Sequence, residues 1–142
     1  MRIQCFPGPD LEARLKAESA STGVNISVLV IDALNKYYGL VGPNTKPLAQ
    51  LETEVLDEVA AYVADPANAG TEFDLNAASA TYEQIDMTCA GKPKAVKAQI
   101  GKKFAKEIGV PGRFEKVALV LRDNGTPKRT VANRAAIYRI LA

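Results

Sequence analysis

The chain opens with a period-two pattern. Arg2, Gln4 and Phe6 alternate with Ile3 and Cys5, which predicts a strand that Pro7, Gly8 and Pro9 stop. Asp10 is a suitable N-cap for a first helix with Leu11 and Leu15 four apart, and Gly23 suits a left-handed terminator. Asn25 then caps a second helix, from about Ile26 to Tyr38. Its run Val28, Leu29, Val30, Ile31, followed by Ala33, Leu34 and Tyr37, leaves almost no polar face. A helix apolar on nearly all sides has to be buried on nearly all sides. A unit of about 45 residues is too small to do that alone, so a second copy is expected to cover it.

GLVGPNTKP, residues 39–47, reads as a linker. The bounds are then 1–40 for the first unit, 41–47 for the linker and 48–142 for the second. In the second unit Leu48, Leu51, Val55, Val59, Tyr62 and Val63 recur every three or four residues, predicting a helix over 48–64 that Asp65-Pro66 ends. Phe73 and Leu75 alternate with Glu72 and Asp74 as a very short strand, and a short helix follows over about 76–85. Gly91 and Pro93 lead into a helix over about 94–108, striped by Val96, Ile100, Phe104 and Ile108. Lys94, Gln99, Lys102 and Lys106 lie away from that stripe and Lys103 at its edge. Residues 114–122 and 134–141 read as strands bracketing Asp123-Asn124-Gly125-Thr126-Pro127, a β-hairpin with Lys128 and Arg129 near its tip. The class is α+β.

Charge sharpens this picture. The whole chain carries +2, but residues 1–45 are neutral, 46–91 hold one basic and nine acidic residues for −8, and 92–142 hold thirteen basic and three acidic for +10. Such a basic third is the footprint of a polyanion-binding surface; the alternative is internal pairing with the acidic middle. There is no histidine, and no phosphate-binding glycine loop, nucleophile elbow or paired metal-ligand spacing. Neither an enzyme nor a cofactor is expected. Two distant cysteines, Cys5 and Cys89, are expected reduced and buried as small apolar residues. No apolar run approaches the ~20 residues of a membrane span. MRIQCFPGPD lacks a signal peptide's apolar core, so a cytoplasmic location with no membrane partner is expected.

The first 40 residues resemble the ribbon-helix-helix family of DNA-binding proteins. The residues that carry this are Ile3 and Cys5 inward on the strand, Leu11 and Leu15, and the stretch TGVNISVLVIDALNKYYG. The resemblance implies a homodimer whose two strands form an antiparallel ribbon. Arg2, Gln4 and Phe6 would then face the major groove, and the helix start at Asn25, Ile26 and Ser27 would hold a phosphate. Phe6 and the Pro7-Gly8-Pro9 entry depart from the family's pattern.

From about residue 48 the element order is similar to a winged-helix domain. It also resembles, through Phe73, Tyr82, Gly101, Phe104, Phe114, Val117, Tyr138 and Ile140, a small bacterial domain of unknown function. By the winged-helix comparison the basic helix, with Lys94, Gln99, Lys102, Lys103 and Lys106, would enter the major groove. Arg122, Lys128, Arg129 and Arg134 of the wing would approach the backbone or minor groove. The expected function is a homodimeric, sequence-specific DNA-binding transcriptional regulator. The alternatives are an antitoxin-like or adaptor protein whose acidic segment 46–91 docks a basic protein partner, and an RNA-binding accessory protein.

Overall fold

The computed structural model describes residues 2–40, 44–90, 92–132 and 134–142. Met1, linker residues 41–43, Gly91 and Asn133 lie outside the described residues. Residues 2–8 form neither helix nor strand, so the strand expected over Arg2–Phe6 is not formed in the single chain. An extended segment needs a neighbour to receive its N–H and C=O groups, and one copy supplies none. Ile3 and Cys5, expected to point inward, are both exposed.

Helix α1 spans Pro9–Thr22. Its N-cap is Gly8 rather than Asp10; Pro9 takes the first helical position, where a missing N–H costs nothing, and moves the start to an earlier residue. Gly23 ends it at φ 72°, its N–H donating to the Ser19 carbonyl. Helix α2 spans Ile26–Tyr37 with Asn25 as its N-cap residue. The burial expected all round α2 is absent in the single chain. Val28 is buried at 1% exposure, whereas Ile26, Ile31, Leu34 and Tyr37 are exposed, Tyr37 at 81%. Ile26, Val30, Ala33, Leu34 and Tyr37 share one face at helical spacing.

Helix α3 spans Leu48–Ala64 and is followed by a single 3₁₀ turn at Pro66–Asn68. Strand β1 is Glu72–Phe73. Leu75, expected on this strand, instead begins α4, Leu75–Ala78. Two further one-turn helices follow, α5 at Ala80–Glu83 and α6 at Ile85–Thr88. They replace the one helix expected over 76–85. Ser79 is the cause: buried and extended, it breaks the run, and its hydroxyl accepts the Tyr82 N–H at 3.0 Å to start a new turn. Helix α7 spans Pro93–Glu107. Strands β2, Val117–Leu119, and β3, Tyr138–Ile140, complete an antiparallel sheet in the order β1-β3-β2. Val117 pairs with Ile140 and Phe73 with Tyr138.

Between β2 and β3 the chain turns back twice rather than once. The Arg122 N–H donates to the Thr126 carbonyl at 2.7 Å around Gly125, and the Thr130 N–H donates to the Ala135 carbonyl at 2.9 Å. Pro127 opposes Leu121 in an isolated bridge, and with no N–H it cannot extend a ladder.

The core joins one face of α3 (Leu51, Val55, Leu56, Val59) to the stripe of α7 (Val96, Ile100, Phe104) and to the sheet residues Phe73, Val117, Tyr138 and Ile140. Phe104 is its hub, 4.9 Å from the Phe114 ring and 4.8 Å from the Tyr138 ring, both edge-on. This packing fixes the opposite side of α7 outward. Among the described residues no helix is long and apolar enough to cross a membrane.

Candidate nucleic-acid interface

Because Val96, Ile100 and Phe104 face the core, helical geometry turns the rest of α7 to two flanks. One flank carries Lys94, Lys97, Ala98, Gly101 and Ala105, and it forms one wall of a groove of about 680 Å³. Arg129, Arg134, Ala135 and Ala136 of the double turn form the other wall, with Tyr82 and Tyr138 at the base. Gly101 leaves a notch: a Cβ built there meets no atom within 4 Å. The second flank carries Gln99, Lys102, Lys103 and Lys106 and borders a hollow of about 430 Å³ shared with Gly23 and Asn25.

Ion pairing sorts the basic residues. Lys97 pairs with Asp86 at 3.7 Å, Lys103 with Glu52 at 3.4 Å and Arg113 with Asp57 at 2.8 Å. Lys128 and Arg139 converge on Glu72 at 3.2 and 2.6 Å. All four of these acidic partners lie in segment 46–91, so part of the +10 is neutralised internally, as the alternative reading of the charge pattern expects. Lys94, Lys102, Lys106, Arg122, Arg129 and Arg134 make no ion pair among the described residues. All are exposed, and all border the groove, the hollow beside Asn25, or the concavities of the double turn.

The residues singled out from sequence therefore divide. Lys94, Lys102, Arg129 and Arg134 come together across the groove, and Gln99 and Lys106 join Lys102 on the neighbouring flank. Arg122 lies beside Arg129 and Arg134 in a smaller concavity. Arg134 adopts φ 51° and its carbonyl accepts the Arg129 guanidinium at 3.0 Å, which fixes that turn. Lys103 does not stand free on the helix: its ammonium donates to the Gly23 carbonyl at 2.7 Å and lies against Glu52. Lys128 is turned to Glu72. Of the helix start, Asn25 borders the hollow beside α7, and Ile26 and Ser27 are exposed. Arg2, Gln4 and Phe6 are exposed and belong to none of these concavities; Phe6 is 93% exposed.

Electrostatics set the character of each wall. Burial pushes the Tyr82 phenol up to about 12, helped by Tyr138 and Asp74, so it stays protonated at the groove base. The Lys97 ammonium lies 5.5 Å from the centre of its ring. Burial also raises the Glu52 carboxyl above the usual carboxylate value, against the lowering effect of Lys103. Glu72 is held below it by hydrogen bonds from Lys128 and Arg139.

Some contributors were not singled out as site residues from the sequence. Lys97 and Tyr82 line the groove, and the nearest available signal was the polar position next to Val96 facing an aromatic residue in the preceding helical stretch. Asp32 is another: it reaches from α2 to the start of α3, where its two oxygens accept the Leu48 and Ala49 N–H groups at 2.8 and 2.7 Å. Compared with family models, curated proteins and solved structures, the chain has no match.

Proposed function

We propose that this chain is a DNA-binding regulator that acts as a homodimer and grips the duplex with α7 and the double turn between β2 and β3. The observation that carries the reading is the sorting of cations. Lys97, Lys103, Arg113, Lys128 and Arg139 are closed by acidic partners, whereas Lys94, Lys102, Lys106, Arg122, Arg129 and Arg134, with no ion pair among the described residues, gather along the two flanks of α7 and the neighbouring turns; Lys92 and Lys116 are also without an ion pair among the described residues. Each such cation set against a phosphate releases condensed counterions. The arrangement α3, β1, three short helices, α7, β2, β3 with sheet order β1-β3-β2 supports a winged-helix reading, with α7 entering the major groove and the double turn as wing. The α1–Gly23–α2 hairpin supports a ribbon-helix-helix reading of the first unit.

The bare stripe on α2 supports a second copy as its cover. In that dimer each opening segment gains the partner strand it lacks, and Arg2, Gln4 and Phe6 turn to base edges. Five of the nine carboxylates of the acidic middle segment, Glu52, Glu54, Asp57, Glu72 and Asp86, are paired with the chain's own cations, which favours DNA over a basic protein as the partner.

Titration of a labelled duplex at 50 and 200 mM salt tests this. Six phosphate contacts per chain, twelve for the dimer, give a slope of about −11 in log K against log salt, roughly a millionfold loss over that range. Lys102→Ala/Lys106→Ala, which removes four contacts from the dimer, flattens the slope by about 4 units. A flat salt response of the native chain refutes the reading. Sedimentation as a stable monomer at micromolar concentration refutes the dimeric arrangement.

A further inference from the structure

The N-terminal hairpin is tied to the rest of the chain at two polar points. Helix α3 begins after Pro47, which offers no capping side chain. Its first N–H groups are orphan donors by construction. Asp32, one turn beyond the buried Val28 on α2, supplies both carboxylate oxygens to them, at 2.8 and 2.7 Å. A carboxylate there is favoured twice, by charge-assisted bonds and by the positive end of the helix. Before the start of α2, in the α1–α2 turn, the Gly23 carbonyl accepts the Lys103 ammonium of α7 at 2.7 Å. One tie fixes the middle of α2 to α3 and the other fixes the α1–α2 turn to α7. Between them they set the start of α2 beside Gln99, Lys102 and Lys106.

We propose that Asp32 and Lys103 are positioning residues that join the hairpin and the C-terminal unit into a single rigid DNA-binding body, in which the start of α2 and α7 follow the same run of phosphates. This rests on the DNA-binding reading above and adds that neither unit engages the duplex independently. Asp32 itself touches no DNA; its carboxylate is turned to α3 and would repel a phosphate.

The test uses the full chain with Asp32→Ala and two readouts. In free protein, amide exchange at residues 48–51 accelerates at least tenfold without the cap, by an order-of-magnitude expectation for local opening. On a duplex, the salt slope falls by about one unit for each phosphate that α2 no longer reaches, and affinity at 0.1 M salt falls about eightfold for each. Faster exchange with unchanged slope and affinity overturns the positioning role and leaves the DNA reading standing. Unchanged exchange overturns the cap itself. A native chain that shows no salt-dependent binding removes both proposals. If Asp32→Ala does not fold, Asp32→Asn, which keeps one acceptor oxygen, carries the same two measurements with smaller changes of the same sign.

Discussion

Replacing Lys103 with Met is a quantitative test of the electrostatics at the junction of α3 and α7. Glu52 is 2% exposed, and its only ion-pair partner among the described residues is the Lys103 ammonium at 3.4 Å. At that separation two unit charges attract by roughly 5 kcal/mol at an effective dielectric of about 20. Breaking a fully buried pair costs about 3–5 kcal/mol, because one charge is left without compensation. The Lys103 side chain is 29% exposed, so water screens this pair, and about 1–3 kcal/mol is the expected loss at neutral pH. The pH dependence has a definite sign. Burial already raises the Glu52 carboxyl and Lys103 opposes the rise, so its removal drives the folded-state value further up. A raised carboxyl destabilises the folded chain above the unfolded value near 4.5, and this cost fades as the pH falls below it. Urea denaturation followed by circular dichroism at about pH 7 and about pH 4 measures both limits. The Lys103→Met penalty is large at the neutral limit and shrinks at the acid limit to the contribution of the Gly23 bond. Glu52→Gln/Lys103→Met recovers most of the neutral-pH loss. An equal penalty at both limits, or none at neutral pH, refutes the reasoning.

Two further outcomes concern the same surfaces. Gly101→Ala fills open space on a helix, so it stabilises the chain by about 0.5–1 kcal/mol in thermal melts while weakening duplex binding in a titration, since the notch is filled. Glu72→Gln removes a carboxyl that Lys128 and Arg139 hold low; native stability contributed by that group is present above pH 4.5 and lost as the pH falls through its depressed value, and acid-titration melts of the variant lack this component.

The elements with a strong local signal were legible in the sequence. Helix α3 matches its expected bounds, Leu48–Ala64, because its apolar spacing is bounded by Pro47 before it and Asp65-Pro66 after it. The α7 stripe of Val96, Ile100 and Phe104 is buried as its period requires, and Ile108 lies half-buried just past the end. Features that depend on distant residues were not legible. Asp32 caps a helix sixteen residues away, and Lys103 meets Glu52 across fifty-one, so no local motif announces either. Ser79 reads as an ordinary helix residue until it is buried with its hydroxyl committed to a new turn. Pro127 sits amid turn residues whose first turn hides a second. The opening segment alternates as a strand should, but alternation cannot supply the neighbour a strand needs.

The closure of five basic side chains by acidic neighbours has a kinetic consequence. What remains is a body with a concentration of cations around α7 and the double turn that have no ion pair among the described residues, Lys94, Lys102, Lys106, Arg122, Arg129 and Arg134, alongside the carboxylates Glu52, Asp86 and Glu107. In the field of a polyanion such a body experiences a torque before it touches anything, and it arrives already turned to its productive face. Salt then slows capture as well as hastening escape, and stopped-flow association rates should fall alongside equilibrium affinity.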